Sequence, residues 1–503
     1  LVKPFILQIF KLKENEVMDF WNSMKNEDNK VFTENGREAY KSSGDTLVDF
    51  VATIGTYDTR SERDIKNWVD KLYSVDELSA RKLIFYTRDI LGGLGRRRVG
   101  RLLLQRLAEL DVRSAIANIP NIPEYGRFDD LYSLMGTPAE DAMFKFIRDT
   151  FYDDLDKMSK GLPVSGLAKW VKNPNSKVKE TRALGRLTAK KAGINVTTFT
   201  KKLTELRRYL NLVELHMTDK NWSGIDYSKV PSRASMVYRG AFERNDGDRY
   251  SEFKNKVASG ESEIKATTLY PYDLVHKVMR DRDDETLDLL WKALPNYVDT
   301  DKNVLTVCDV SGSMWGTPME VAISLALYFS ERDKGKFRNK FITFSERPTL
   351  VEIPEKYTSL DKKCSFLEGA DWGNGTNLDK VFELILKTAK NSNMSQEDIP
   401  DCLLILTDMQ FNSNNSGGWD KTLYELWRDR FEEAGYKLPN IVFWNCRNFE
   451  SSGNFQTDCL TAGVQYVSGM STPIFKNVMK SLFCTPLDAV MNIINSERYS
   501  AIV

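Results

Sequence analysis

A chain of 503 residues exceeds what one hydrophobic core organises, so two or three domains are expected. With 41% hydrophobic and 28% charged residues, the composition excludes a disordered or collagen-like polypeptide. Lys plus Arg equals Asp plus Glu at 71 each, so net charge singles out no partner, but the distribution is uneven: residues 301–503 carry 21 basic and 26 acidic side chains, leaving 50 and 45 for residues 1–300.

Residues 1–44 read as an N-terminal extension. Its opening LVKPFILQIF lacks the length and small-residue cleavage site of a signal peptide, and no window reaches eighteen uninterrupted apolar residues. Residues 45–298 read as an α-helical domain, since from about residue 60 to 295 apolar residues recur at three and four, the helical period. LSARKLIFYTRDIL (78–91) and VGRLLLQRLAEL (99–110) flank a tight GGLG break. Further helices are expected over 139–158, 198–217, 232–245 and 285–294. Successive helices with short breaks point to stacked helical pairs, a HEAT-like repeat domain, although no fixed period recurs.

From residue 299 to 503 the pattern changes. VLTVCDV, KFITF, DCLLILTD, NIVFWNC and VQYVSG read as strands buried on both faces, with helices between them. Such alternation predicts a doubly wound α/β sheet, so the fold class is mainly α plus α/β. The six cysteines all lie in this part and form no CxxC pair, which fits a reducing, cytoplasmic setting.

Doubly wound sheets carry their sites at the carboxyl ends of strands. There DVSGSM places Asp309, Ser311 and Ser313, LLILTDMQF places Asp408, and DWGNGTNLDKVF places Thr376 just before a helix. Carboxylate and hydroxyl oxygens are hard ligands, so Mg²⁺ or another small divalent cation is the expected cofactor. The set D-x-S-x-S, Thr and Asp resembles the metal-ion-dependent adhesion site of the von Willebrand factor A fold. That resemblance implies Ser311, Ser313 and Thr376 as hydroxyl ligands, Asp309 and Asp408 bound directly or through water, and an open position filled by an acidic oxygen of a partner.

Enzymatic readings find little support. The two histidines, His216 and His276, lie in the helical part, and no G-x-S-x-G elbow frames either serine. GRRRVGRL has Arg101 and Leu102 where a phosphate-binding loop needs Lys and Ser or Thr. A protein without catalytic residues is expected.

Residues 160–208 hold thirteen Lys or Arg against Glu180 and Glu205, a one-sided tract that should attract polyanions by counterion release. The candidate nucleic-acid contacts are Lys169, Lys172, Arg186, Lys190, Lys191, Lys201, Lys202, Arg207 and Arg208, with Arg96, Arg97, Arg98 and Arg101 from the earlier cluster. The bland alternative is a solvated helix face.

YTRDILGGLGRRR (86–98), YGRFDDLYSLM (125–135), LAKWVKNPNS (167–176), LRRYLNLVE (206–214), VPSRASMVY (230–238) and VQYVSGMSTPIFK (464–476) resemble the TROVE family of Ro ribonucleoprotein autoantigens, in its uncharacterised branch. The resemblance implies a ring of helical pairs closed by the metal-binding domain, monomeric or part of an assembly, that binds structured or single-stranded RNA ends. The individual contact positions above rest on charge alone. Two other functions are open: a scaffold whose metal captures an acidic partner protein, and a structural component of a larger assembly such as a virion.

Overall fold

The computed structural model describes residues 24, 27–282, 284–298, 300–368, 375–412, 421–447 and 455–503. A short hairpin of β1 (Lys30–Phe32) and β2 (Glu38–Tyr40) comes first, helices dominate from there to Lys292, and a six-stranded sheet follows, so the chain combines an α part with an α/β part.

Three of the expected helices start at a capping side chain, Asp76, Asn195 or Asp284. Glu77–Arg88 starts at Asp76, whose side chain accepts from Ser79 N, and buries Ala80, Leu83, Ile84 and Thr87. It packs on Arg97–Leu110 across the GGLG break. Gly93 is required in that break, because a Cβ there would meet Tyr86 O at 2.1 Å. The single helix expected over 198–217 is two, Val196–Tyr209 and Val213–Thr218, with Asn211 between them at φ 50°. The helix expected over 232–245 runs on to Ser259, bent at Asp246. The Asp246 carboxylate accepts from Tyr227 Oη at 2.7 Å and from Arg249 Nη1 at 2.7 Å, so a local polar network holds the bend.

The large sheet contains β3 (Val304–Asp309), β4 (Lys340–Phe344), β5 (Pro348–Glu352), β6 (Cys402–Thr407), β7 (Asn440–Asn445) and β8 (Val464–Ser468), in the order β5-β4-β3-β6-β7-β8. The five expected strands are all parallel, and every residue of β3 and β6 is buried. The sequence reading does not foresee β5: it is the antiparallel edge, and four of its five residues are partly or fully exposed, so no apolar run announces it. Among the described residues no helix is long and apolar enough to cross a membrane.

The two parts share one continuous core. Trp291 donates its indole N–H to Glu331 at 2.8 Å, and Arg332 returns a bond to Trp291 O at 2.7 Å. The Thr46–Thr53 helix packs on β8, where Ser468 Oγ donates to Val51 O at 2.8 Å. Near the end of the chain, Arg498 donates to Asp89 through Nε at 2.8 Å and Nη2 at 2.6 Å, and Tyr499 stacks on Tyr125. At the other end the β1–β2 hairpin reaches across to the α/β part: Tyr40 N donates to Phe455 O at 2.9 Å and Tyr40 Oη to Glu425 at 3.0 Å.

Candidate metal centre

β3 and β6 are hydrogen-bonded neighbours in register, Cys308 opposite Leu406, so Asp309 and Asp408 both leave the sheet at its carboxyl edge. Both side chains are fully buried. Asp309 Oδ1 accepts from Ser311 N at 3.0 Å, which folds the chain back into a tight turn, and Oδ2 accepts from Thr407 Oγ1 at 2.9 Å. That turn brings Ser311 Oγ and Ser313 Oγ within 3.1 Å of each other. After β6, Met409 takes φ 66°, uncommon for a residue with a side chain, and Gln410 N then donates to Asp408 Oδ1 at 3.1 Å.

Thr376 is 2% exposed and precedes the Asp379–Asn391 helix. Its carbonyl accepts from Asn412 N at 3.1 Å, which ties its loop to the one that carries Asp408. The glycine-rich residues 371–374 before it lie outside the described residues.

Electrostatics at this edge are unfavourable for two bare carboxylates. Burial, and then the charge of Asp408, push the Asp309 carboxyl up to about 7. Burial also raises Asp408, against the opposing effects of the Ser313 hydroxyl, the Gln410 amide and Arg447. Asp408 Oδ2 is buried without a hydrogen-bond partner. An orphaned carboxylate oxygen beside a second buried acid and two serine hydroxyls is a set of hard donors lacking a positive charge, which fits a small divalent cation. Among the described residues no group of three or more His, Cys, Asp or Glu gathers, so the donor set relies on hydroxyls.

Three further residues shape the site. Thr407 and Gln410 hold Asp309 and Asp408, and Arg447, just beyond β7, donates from Nη1 to Ser313 O. Sequence reasoning misses all three, and only Arg447, a cation at the end of a strand in NCRN, carries a visible signal there. Both histidines are engaged away from the serines: His276 Nδ1 pairs with Glu320 at 2.7 Å, and His216 Nε2 with Asn211 at 2.6 Å. Burial raises the Cys308 and Cys446 thiols, which keeps both protonated.

The basic candidates divide. Arg97 pairs with Asp129 at 2.5 Å, Arg101 with Asp130 at 2.5 Å, and Arg96 with Asp58. Arg98 donates to the carbonyls of Asp58 and Arg60, both at 2.9 Å. Arg207 is turned inward onto Ala168 O at 2.7 Å and Val171 O at 3.0 Å. Lys172 lies 3.6 Å from Asp129, Lys191 3.0 Å from Glu140 and Lys202 2.7 Å from Glu205, while Lys169 sits over the Trp170 ring. The remaining four, Arg186, Lys190, Lys201 and Arg208, are exposed and make no ion pair with the described residues. Three of them line a groove of about 540 Å³ with Asn175, Thr197, Thr200 and Thr204, between the helices Lys179–Lys191 and Val196–Tyr209.

Residues 303–494 match a family model described as a domain of unknown function, DUF7788, and residues 164–306 match another, DUF2828. The chain is similar to the "Uncharacterized protein L728" of Acanthamoeba polyphaga mimivirus, 28% identical over 512 residues, which cover 93% of this chain and 87% of that protein. The two family models meet at residues 303–306, where the last helix of the α part has ended and β3 begins.

Proposed function

We propose that the protein is a non-catalytic binder whose α/β part, a von Willebrand A-type module, holds Mg²⁺ or a similar divalent cation through Asp309, Ser311, Ser313, Thr376 and Asp408. The observation that carries this reading is the buried, unpartnered Oδ2 of Asp408 beside a second buried carboxylate. The cation, when bound, supplies a Lewis-acid position for an acidic oxygen of a partner. The chain's own contribution is to aim the donors and bury them: the Asp309 turn orients both serines, and Arg447 fixes the Ser313 backbone. Trp315, 79% exposed and two residues beyond Ser313, stands at the rim as an apolar contact for whatever docks. The test is calorimetric titration of the metal-free protein with Mg²⁺ and Mn²⁺, alongside Asp408→Asn. Saturable binding in the parent and none in the variant supports the reading, and a parent that binds neither ion overturns it.

A second activity, RNA binding by a ring-like helical part, is supported by the groove lined by Arg186, Lys201 and Arg208. Its one acid, Glu205, is already paired with Lys202 at 2.7 Å, so the three guanidinium and ammonium groups face solvent uncompensated. Threonine hydroxyls and an asparagine amide among fixed cations suit a phosphodiester chain. Gel-shift titration with single-stranded RNA and with duplex DNA tests it, and equal affinity for the duplex would count against it.

A further inference from the structure

The turn of the N-terminal hairpin lies on the loop that follows β6. Thr33 Oγ1 donates to Phe411 O at 2.7 Å, Glu34 N to Gln410 Oε1 at 2.9 Å, and Asn35 Nδ2 to Gln410 O at 2.7 Å. Gly36 then pairs with Asn412 as an antiparallel bridge. On their other side the same loop residues hold the candidate ligands. Gln410 N donates to Asp408 Oδ1 at 3.1 Å, and Asn412 N to Thr376 O at 3.1 Å.

A second tie runs through Arg37. It is 3% exposed and donates to Asp379 Oδ2 at 3.2 Å, three residues after Thr376. Two of its nitrogens, Nε and Nη2, are buried without partners, so its position is set by the hairpin's packing and by Asp379 rather than by solvent.

From this geometry, and resting on the cation reading above, we propose that Thr33–Arg37 is a strap that positions the Asp408 and Thr376 loops, so that its attachment sets the affinity of the centre for its cation. The physical reason is local. Asp408 is followed by a residue held at positive φ, a conformation that persists only when its surroundings over-determine it, and the strap supplies bonds on both sides of Gln410. Detached, the loop relaxes and the two ligand loops lose their fixed spacing, which a small cation with strict geometry tolerates poorly. Gln410 and Thr33 are therefore positioning residues: neither need touch the ion.

The test compares the full chain with Thr33→Val/Asn35→Ala, which removes both side-chain donors to the loop together with the Thr33 hydroxyl that accepts from Arg37 N at 3.0 Å, and with Thr33→Ser, which keeps that hydroxyl. Calorimetry with Mg²⁺ should give a dissociation constant raised about tenfold in the double variant and unchanged in Thr33→Ser, while the double variant in EDTA still melts cooperatively, somewhat below the parent because buried bonds are lost. Should the double variant fail to fold, hydrogen exchange on the parent decides. Coupling is reciprocal, so Mg²⁺ must slow exchange at the Glu34 amide. Equal Mg²⁺ affinity in parent and double variant, or exchange at Glu34 indifferent to Mg²⁺, overturns the strap and leaves the centre standing. A parent that binds no divalent cation overturns both.

Discussion

Asp309 and Asp408 are buried carboxylates at the ends of adjacent parallel strands, and burial, then the charge on the second, raise the proton affinity of the first. The consequence for cation-free protein has a definite sign. A carboxyl near 7 in the folded chain, against about 3.9 in the unfolded one, binds its proton more tightly when folded. Stability therefore rises as pH falls through 7 towards 4, and the penalty is fully present above 7. In EDTA, Asp309→Asn should melt higher than the parent at pH 8, and the gap should narrow as pH drops towards 5. Circular dichroism melts across that range check it, and curves that stay parallel would rule out a raised Asp309.

The unpaired cations of the groove make a salt prediction. Replacing Arg186, Lys201 and Arg208 together by Ala should flatten the slope of log affinity for single-stranded RNA against log salt by about 2, at about 0.7 for each phosphate no longer neutralised. Arg97→Ala and Arg101→Ala should leave that slope alone, because those side chains are already neutralised by Asp129 and Asp130. Filter binding from low to moderate salt separates the two sets.

Asp130 shows why the GRRRVGR cluster belongs to folding. It is fully buried and accepts from Arg88 Nε at 2.7 Å and Arg101 Nε at 2.5 Å, while Arg88 itself is 2% exposed. Asp130→Ala strands a buried guanidinium and should cost about 3–5 kcal/mol. Urea unfolding measures it, and a loss below about 1 kcal/mol, the range of an exposed pair, would show that Asp130 is no anchor.

Gly55 marks the seam between the helical part and β8. A Cβ there would meet Ser468 O at 2.4 Å, and Gly55 N donates to Ser468 Oγ at 2.9 Å. Gly55→Ala should cost about 1–3 kcal/mol through forced displacement of β8. Gly247→Ala, just past the bend at Asp246 with open space around the new methyl, should stabilise by less than about 1 kcal/mol. Thermal melts of the two variants should move in opposite directions.

Much of the α/β part is legible because its strands are continuous apolar runs and its candidate ligands sit where those runs stop, as at Asp309 and Asp408. Charge is a poorer guide. The sequence shows that Arg97 and Arg101 are cationic but not that Asp129 and Asp130, some thirty residues on, will fold beneath them. The Lys179–Lys191 helix buries only small residues, Gly185, Thr188 and Ala189, and a Cβ at Gly185 would meet the Asn173–Pro174 backbone at 2.6 Å, so hydropathy gives little sign of its inward face. The contact of Thr33 and Asn35 with the Asp408 loop joins segments more than 370 residues apart, which no local pattern encodes.

The bond between Arg498 and Asp89 spans 409 positions. On a ribosome, at about 5–20 residues per second, Asp89 emerges roughly 20–80 s before the guanidinium that neutralises it. Until then Asp89 lacks both donors that hold it in the folded chain, Arg498 and Tyr499, and a bare carboxylate is costly to bury. Truncation before Arg498 would leave Asp89 without its countercharge, and that part of the helical half would stay unsealed.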